Sequence, residues 1–185
     1  MAAAPVESEF KEPQFPDEDV MQVEPAVWKM YFDGASNKKG FGVGVVIVTL
    51  EGEHIPMAFK LAFSVTNNTA EYEACIAGLE AALHLGIKHL KVYGDSSLIV
   101  SQALGKWKIK AEQLVPYHQR LTSLAQQFKE LSFHYLLRAK NQLADALATL
   151  ASMVDVNKDM VIRPLTVKIK KEPAFCMVTD RKSVV

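Results

Sequence analysis

Regular patterning begins at Trp28. Trp28, Met30 and Phe32 fall on one face of an extended segment, and Lys29 and Tyr31 on the other, the period of a half-buried strand. The run from Asp33 through Gly34, Ser36 and Asn37 to Gly40 is rich in turn formers and predicts that this strand ends at Phe32. Residues 42–48 predict a second strand. After the turn Glu51-Gly52-Glu53, residues 54–61 predict a third, so that the first three pair antiparallel. Ala70, Ala74, Ala77, Ala81 and Leu85 recur at three- and four-residue steps, and Cys75, Ile76, Leu79 and Leu83 widen the stripe. That is a helix with more than one packing surface, stopped by Gly86.

A fourth strand follows at 89–94, then a short helix at 96–103 and a longer one at about 112–128. Pro116 moves the true start of that longer helix toward Val115. Residues 132–137 predict a fifth strand. Residues 141–151 predict a last helix packed through Leu143, Leu147 and Leu150. The order βββαβα(α)βα is that of an α/β domain: a five-stranded mixed sheet, three strands antiparallel and then parallel ones, flanked by helices.

This domain covers residues 27–155. Residues 1–26, with seven acids against Lys11 alone, have the composition of a disordered head or linker. Residues 156–185, with seven bases and three acids, have that of a basic tail or linker, in which the alternating residues 165–170 are a candidate extra strand. The domain itself carries 13 bases and 11 acids. That near-neutrality weighs against strong affinity for a phosphate backbone. Cys75 and Cys176 suit neither a disulfide framework nor a zinc site. No apolar run is long enough to span a bilayer, and no secretory signal precedes the domain. The expectation is an intracellular, non-secreted protein of cytoplasm or nucleus, monomeric as an isolated domain.

Four acids stand where such a fold gathers them. Asp33 follows the first strand and Asp95 the fourth, Glu71 lies in the first turn of a helix, and Asp145 lies one turn into the last helix, away from Leu143 and Leu147. Taken singly, each has an ordinary role as turn former, helix-dipole partner, N-cap or solvated surface. Together, at the ends of adjacent strands, they would repel one another unless cations neutralised them. Oxygen-only ligands favour Mg²⁺, with Mn²⁺ as a substitute, over zinc. Two such ions can activate water and stabilise the leaving oxygen of a phosphodiester.

Four segments carry a resemblance. Tyr31-Phe32-Asp33-Gly34-Ala35-Ser36, Thr66-Asn67-Asn68-Thr69-Ala70-Glu71, Tyr93-Gly94-Asp95-Ser96-Ser97 and Asn141-Gln142-Leu143-Ala144-Asp145 resemble the signature segments of the type 1 ribonuclease H family. In particular they resemble the ribonuclease H domains of plant long-terminal-repeat (Ty3/gypsy-type) retrotransposon polyproteins. The resemblance spans residues 28 to about 154. It implies a ribonuclease H-like fold and endonucleolytic cleavage of the RNA strand of RNA–DNA hybrids by two metal ions, during reverse transcription of a retroelement. Asp33, Glu71, Asp95 and Asp145 would be the catalytic metal ligands. Gly34, Ser36, Asn67, Asn68 and Ser97 would contact the hybrid. Linked reverse transcriptase and integrase domains, and a virus-like particle as location, follow from the same resemblance.

Two features depart from the family pattern. The segment from Leu137 to Asn141 is too short for the histidine-bearing loop of many cellular members, and His134 belongs to the preceding strand. In place of a basic protrusion there is only Lys106-Trp107-Lys108 with its neighbours, read either as a reduced phosphate grip or as a solvated connector. The alternative function is a weak or inactive domesticated domain that binds hybrid or a protein partner without cutting.

Overall fold

The computed structural model describes residues 27–103, 112–156, 160–162 and 165–176. Its strands are β1 (Trp28–Asn37), β2 (Gly40–Val48), β3 (His54–Leu61), β4 (His89–Gly94), β5 (Glu130–Tyr135), β6 (Met160–Ile162) and β7 (Leu165–Lys170), and its α-helices are α1 (Asn67–His84), α2 (Ser97–Ala103), α3 (Val115–Ala125) and α4 (Gln142–Ser152). The five strands expected from the sequence form the run β5-β4-β1-β2-β3 of one mixed sheet. β1 to β3 pair antiparallel, and β4 and β5 join in parallel.

Among the described residues the sheet is seven-stranded, larger than the five expected, because β7 pairs in parallel with β3 and β6 closes a hairpin onto β7. Val167 on β7 is fully buried. This added strand covers what would otherwise be an open edge at β3.

α1 lies on one face and α4 on the other. α1 buries residues around most of its circumference, from Ala70 and Tyr72 to Leu79 and Ala82, because it is wedged between the sheet and α3. It ends where Gly86, at φ 80°, donates from its N–H to Leu83 O while Ile87 N–H reaches Ala82 O; a positive φ there favours glycine. α4 packs differently from expectation. Leu143 is exposed, and the buried face is Ala144, Leu147, Ala148 and Ala151. The cause is close approach to β2: a Cβ on Gly42 would lie 2.3 Å from Ser152 N, and one on Gly44 2.4 Å from Ala144 O. Only small residues on the helix and glycines on the strand let two backbones meet this closely. Lys60, itself buried, secures the C-terminal end of α4 by donating from Nζ to Ser152 O at 2.6 Å and to Lys39 O at 2.8 Å.

The C-terminal segment is tied to α1 through one buried carboxylate. Glu73 is fully buried, and its Oε2 accepts from Tyr117 Oη at 2.5 Å and from Ala174 N–H at 2.9 Å. Lys170 Nζ stands 3.6 Å from Oε1. Burial pushes the pKa of Glu73 up, against the opposing pull of Lys170 and of these donors.

Candidate metal-dependent active site

Asp33 does not follow the end of β1; it lies within it. The strand continues through the turn formers to Asn37 because β2 pairs along its whole length, with Asp33 opposite Gly44 and Asn37 opposite Gly40. On the other side, the parallel pairing of β1 with β4 stops at Phe32 opposite Gly94. Asp33 and Asp95 are therefore the first residues beyond that shared ladder, side by side. Phe32 points into the core with its ring against the Gly94 backbone, where a Cβ would sit 2.4 Å from the ring.

Glu71 comes from α1, in its second turn and not its first, since the helix starts at Asn67. Thr66 caps it: Thr66 Oγ1 accepts from Thr69 N–H at 3.2 Å, and Thr66 N–H donates back to Thr69 Oγ1 at 2.7 Å. This reciprocal cap fixes the direction in which α1 leaves the loop and so aims Glu71 at Asp33 and Asp95.

Asp33, Glu71 and Asp95 each offer a carboxylate oxygen within 4.8 Å of the others. Asp33 is only 2% exposed, and its Oδ1 accepts from the Gly34 N–H at 2.9 Å. Burial, then the charge of Asp95 and contact with Asp145, push its pKa up to about 7. Burial, then the charges of Asp33 and Asp95, push Glu71 up to about 9. Glu71 Oε1 is buried without a hydrogen-bond partner among the described residues. A desolvated acceptor among acids that resist ionising together is the setting a cation relieves. The residues present fit a divalent metal ion held by oxygen ligands.

Asp145, in the first turn of α4, falls outside that three-carboxylate cluster but borders the same groove. This groove, about 370 Å³, is also lined by Gly34, Ser36, Asn67 and Glu71, and by Phe41, Arg138 and Thr149. Asn68 is exposed in the first turn of α1 beside Asn67, and Ser97 is exposed at the start of α2; neither borders the groove. Ser96, not Asp95, caps α2, its Oγ accepting from Ile99 N–H at 3.3 Å, which leaves the Asp95 carboxylate for the cluster. Lys106, Trp107 and Lys108 lie outside the described residues. His134 is on β5, stacked against Tyr93 at 5.0 Å.

Sequence reasoning missed Asn141 and Arg138. Asn141 occupies the N-cap position of α4 without capping it. Its Nδ2 donates instead to Phe32 O at 2.9 Å and to Asp95 Oδ2 at 3.3 Å, holding the Asp95 carboxylate and the start of α4 to β1. Asparagine at a helix start is so commonly a cap that the sequence gives no signal for this second use. Arg138, in the short 3₁₀ turn before α4, places a cation beside the acids.

Residues 31–151 match the reverse transcriptase-like family. A bifunctional protein of Mycobacterium tuberculosis, Rv2228c, is 38% identical over 119 residues, which is 63% of this chain and 33% of that protein. Ribonuclease HI of Halobacterium salinarum is 38% identical over 120 residues, 64% of this chain and 60% of that enzyme. The chain thus spans a third to three fifths of the length of these curated relatives. The crystal structure of the H. salinarum RNase H1 superposes with a TM-score of 0.63 at 37% identity, covering 67% of this chain and 96% of the other. LC11-RNase H1, crystallised in complex with an RNA/DNA hybrid, superposes at 0.59 with 30% identity, covering 67% and 95%. The matched span, residues 31–151, holds all four acids, and this chain belongs to the reverse transcriptase-like proteins of the ribonuclease H family.

Proposed function

We propose that this protein cuts the RNA strand of RNA–DNA hybrids by metal-dependent hydrolysis of the phosphodiester. The observation that carries the reading is the convergence of Asp33, Glu71 and Asp95 within 4.8 Å on a fold shared with ribonuclease H1. All ligand atoms in the cluster are carboxylate oxygens, a donor set that suits Mg²⁺, with Mn²⁺ as substitute. Bound there, a pair of divalent ions supplies charge neutralisation, an activated water and stabilisation of the leaving oxygen.

The chain's own residues orient and exclude. Asp33 offers an oxygen from within β1 and Asp95 one from just past β4, and Glu71 faces them from α1. Asp145 stands on the groove wall that an incoming water would cross. Asn141 fixes the Asp95 carboxylate in place. Gly34, Ser36 and Asn67 line the groove through which the hybrid would pass, and in this reading they select RNA by contacts to the 2′-hydroxyl, which both donates and accepts. Asn68 and Ser97 would extend those contacts beyond the groove, and Lys106, Trp107 and Lys108 would grip the DNA strand.

The retroelement setting rests on the signature segments alone. In that setting a linked reverse transcriptase or integrase module raises the effective concentration of a domain whose near-neutral charge gives little backbone affinity of its own. The test is a panel of end-labelled substrates of one sequence: hybrid, single-stranded RNA and duplex DNA, each with Mg²⁺. Cutting confined to the RNA of the hybrid supports the assignment. Cutting of duplex DNA moves the protein to another nuclease class, and hybrid binding without cutting makes it a binding domain.

A further inference from the structure

On the face of the sheet that carries α4, three rings stand in a row across β1, β4 and β5. Tyr31 stacks on Tyr93 with centroids 5.0 Å apart and planes 15° off parallel, and Tyr93 stacks on His134 at 5.0 Å and 26°. The row occupies one side of Tyr31. The other side faces β2 and borders a hollow of about 300 Å³ between β1, β2, His54 at the start of β3, and the start of α4. Val46 and Leu143 give this hollow apolar walls, Lys29 and Lys140 stand at its rim, and no Asp or Glu borders it among the described residues. Leu143 is 47% exposed there, a large apolar side chain with solvent on one side.

Asn141 supplies an independent sign. It lines the hollow and is only 2% exposed, yet its Oδ1 is buried with no hydrogen-bond partner among the described residues. Its Nδ2 is already committed to Phe32 O and Asp95 Oδ2. A buried amide oxygen of this kind costs free energy until a donor reaches it. The volume is at the small end of ligand pockets, which run from roughly 300 to 1,000 Å³.

We infer that this hollow binds one nucleoside monophosphate unit, its base continuing the ring row beyond Tyr31 and donating to Asn141 Oδ1, its phosphate held between Lys29 and Lys140. Aromatic stacking suits any base, and a cationic rim without carboxylates suits an anion. Two sources share this chemistry: a free nucleotide, or a nucleotide of a single strand that continues past the metal site, which Asn141 touches from its other side. Occupancy by a free nucleotide stands apart from the nuclease reading. The single-strand source rests on it.

The experiment is an amide NMR titration of the full chain, in EDTA so that the acid cluster cannot recruit a nucleotide through metal, with adenosine 5′-monophosphate, adenosine and inorganic phosphate. The expected result is saturable shifts of Tyr31, Val46 and Ala144 with the monophosphate, tighter than with either fragment, and weakened about tenfold in the Lys29→Ala/Lys140→Ala variant. Both lysines are exposed, so that variant keeps its fold, which the unchanged remainder of its spectrum verifies. No saturable shift up to about 10 mM, shifts that ignore the double substitution, or shifts centred on Asn67 and Glu71 would each overturn the inference. A second arm measures binding of hybrids with and without a single-stranded overhang to the cleavage-blocked Asp95→Asn chain. A lysine-dependent gain from the overhang assigns the site to a continuing strand, and its absence beside a positive titration assigns it to free nucleotide. Failure of hybrid cleavage with a positive titration overturns the nuclease reading alone.

Discussion

Gly44→Ala tests how the fold sets the site. A Cβ there would lie 2.4 Å from Ala144 O, 2.7 Å from Ala148 N and 2.8 Å from Leu147 Cβ, where ordinary contact begins near 3.4 Å. Two of these three neighbours are helix backbone, which cannot swing aside as a side chain can, so α4 must lift from β2 by roughly 1 Å. Overpacking of this kind costs about 1–3 kcal/mol, and for a chain of this size a melting temperature lower by roughly 2–10 °C. The lift also acts on chemistry. Ala144 directly precedes Asp145, and the Asn141 contacts at 2.9 and 3.3 Å have no slack for a 1 Å retreat. A misplacement of about 1 Å can cost on the order of a hundredfold in rate. Thermal melts followed by circular dichroism, beside steady-state hybrid cleavage at saturating Mg²⁺, read both effects. The expected variant is folded at 20 °C, melts lower, and has kcat reduced about 10- to 100-fold. A variant that melts and cuts like the parent would refute the claim that α4 rests on the Gly44 backbone and positions Asp145 from it.

Three further outcomes follow from the geometry. Asn141→Ala orphans Phe32 O and frees the Asp95 carboxylate; it should destabilise by about 1–3 kcal/mol and lower kcat more than KM, and a variant altered only in KM would place Asn141 in substrate binding. Without metal, Asp33 and Glu71 keep their protons to about pH 7 and 9, whereas in the unfolded chain they lose them near pH 4. The folded state therefore binds more protons between those limits, and stability should fall as pH rises from 5 to 9 in EDTA. Metal needs the ionised carboxylates, so the gain in melting temperature on adding Mg²⁺ should grow over the same range; a gain that is flat with pH, or a slope unchanged in Asp33→Asn/Glu71→Gln, would count against the two acids as its source. Removing residues 165–185 strips Lys170 and the Ala174 N–H from the buried Glu73 carboxylate and uncovers β3; the loss should be about 3–5 kcal/mol, partly recovered by Glu73→Gln, and an undiminished urea midpoint would make the segment dispensable.

The acids were legible only as a group, from their joint placement along the fold and the signature segments that hold them, since each taken singly had an ordinary structural role. What escaped the sequence depends on partners distant along the chain. Residues 33–37 look like a turn by composition, but nine consecutive pairs with β2 hold β1 extended through them. Leu143 matches a helical apolar period, yet the glycines opposite α4 demand alanines on the face that meets them, and Leu143 is turned to the hollow at β1 and β2. Glu71 and Glu73 are two residues apart on one helix with nothing in their neighbours to separate them. One is aimed at Asp33, and the other is buried against Lys170 and the Ala174 turn, about a hundred residues later. The alternation of residues 165–170 signalled a strand but not its place, since parallel pairing with β3 is set by burial of Val167 against α4 and β3.

The most direct measurement is cleavage of an RNA-labelled hybrid by the parent chain and by Asp95→Asn, each with Mg²⁺ and with EDTA. Metal-dependent cutting of the RNA strand that falls at least about a hundredfold in Asp95→Asn, with the fold of the variant intact, is the expected result. Equal cutting by both proteins, or cutting that survives EDTA, would contradict the assignment of the reaction to the Asp33, Glu71 and Asp95 site.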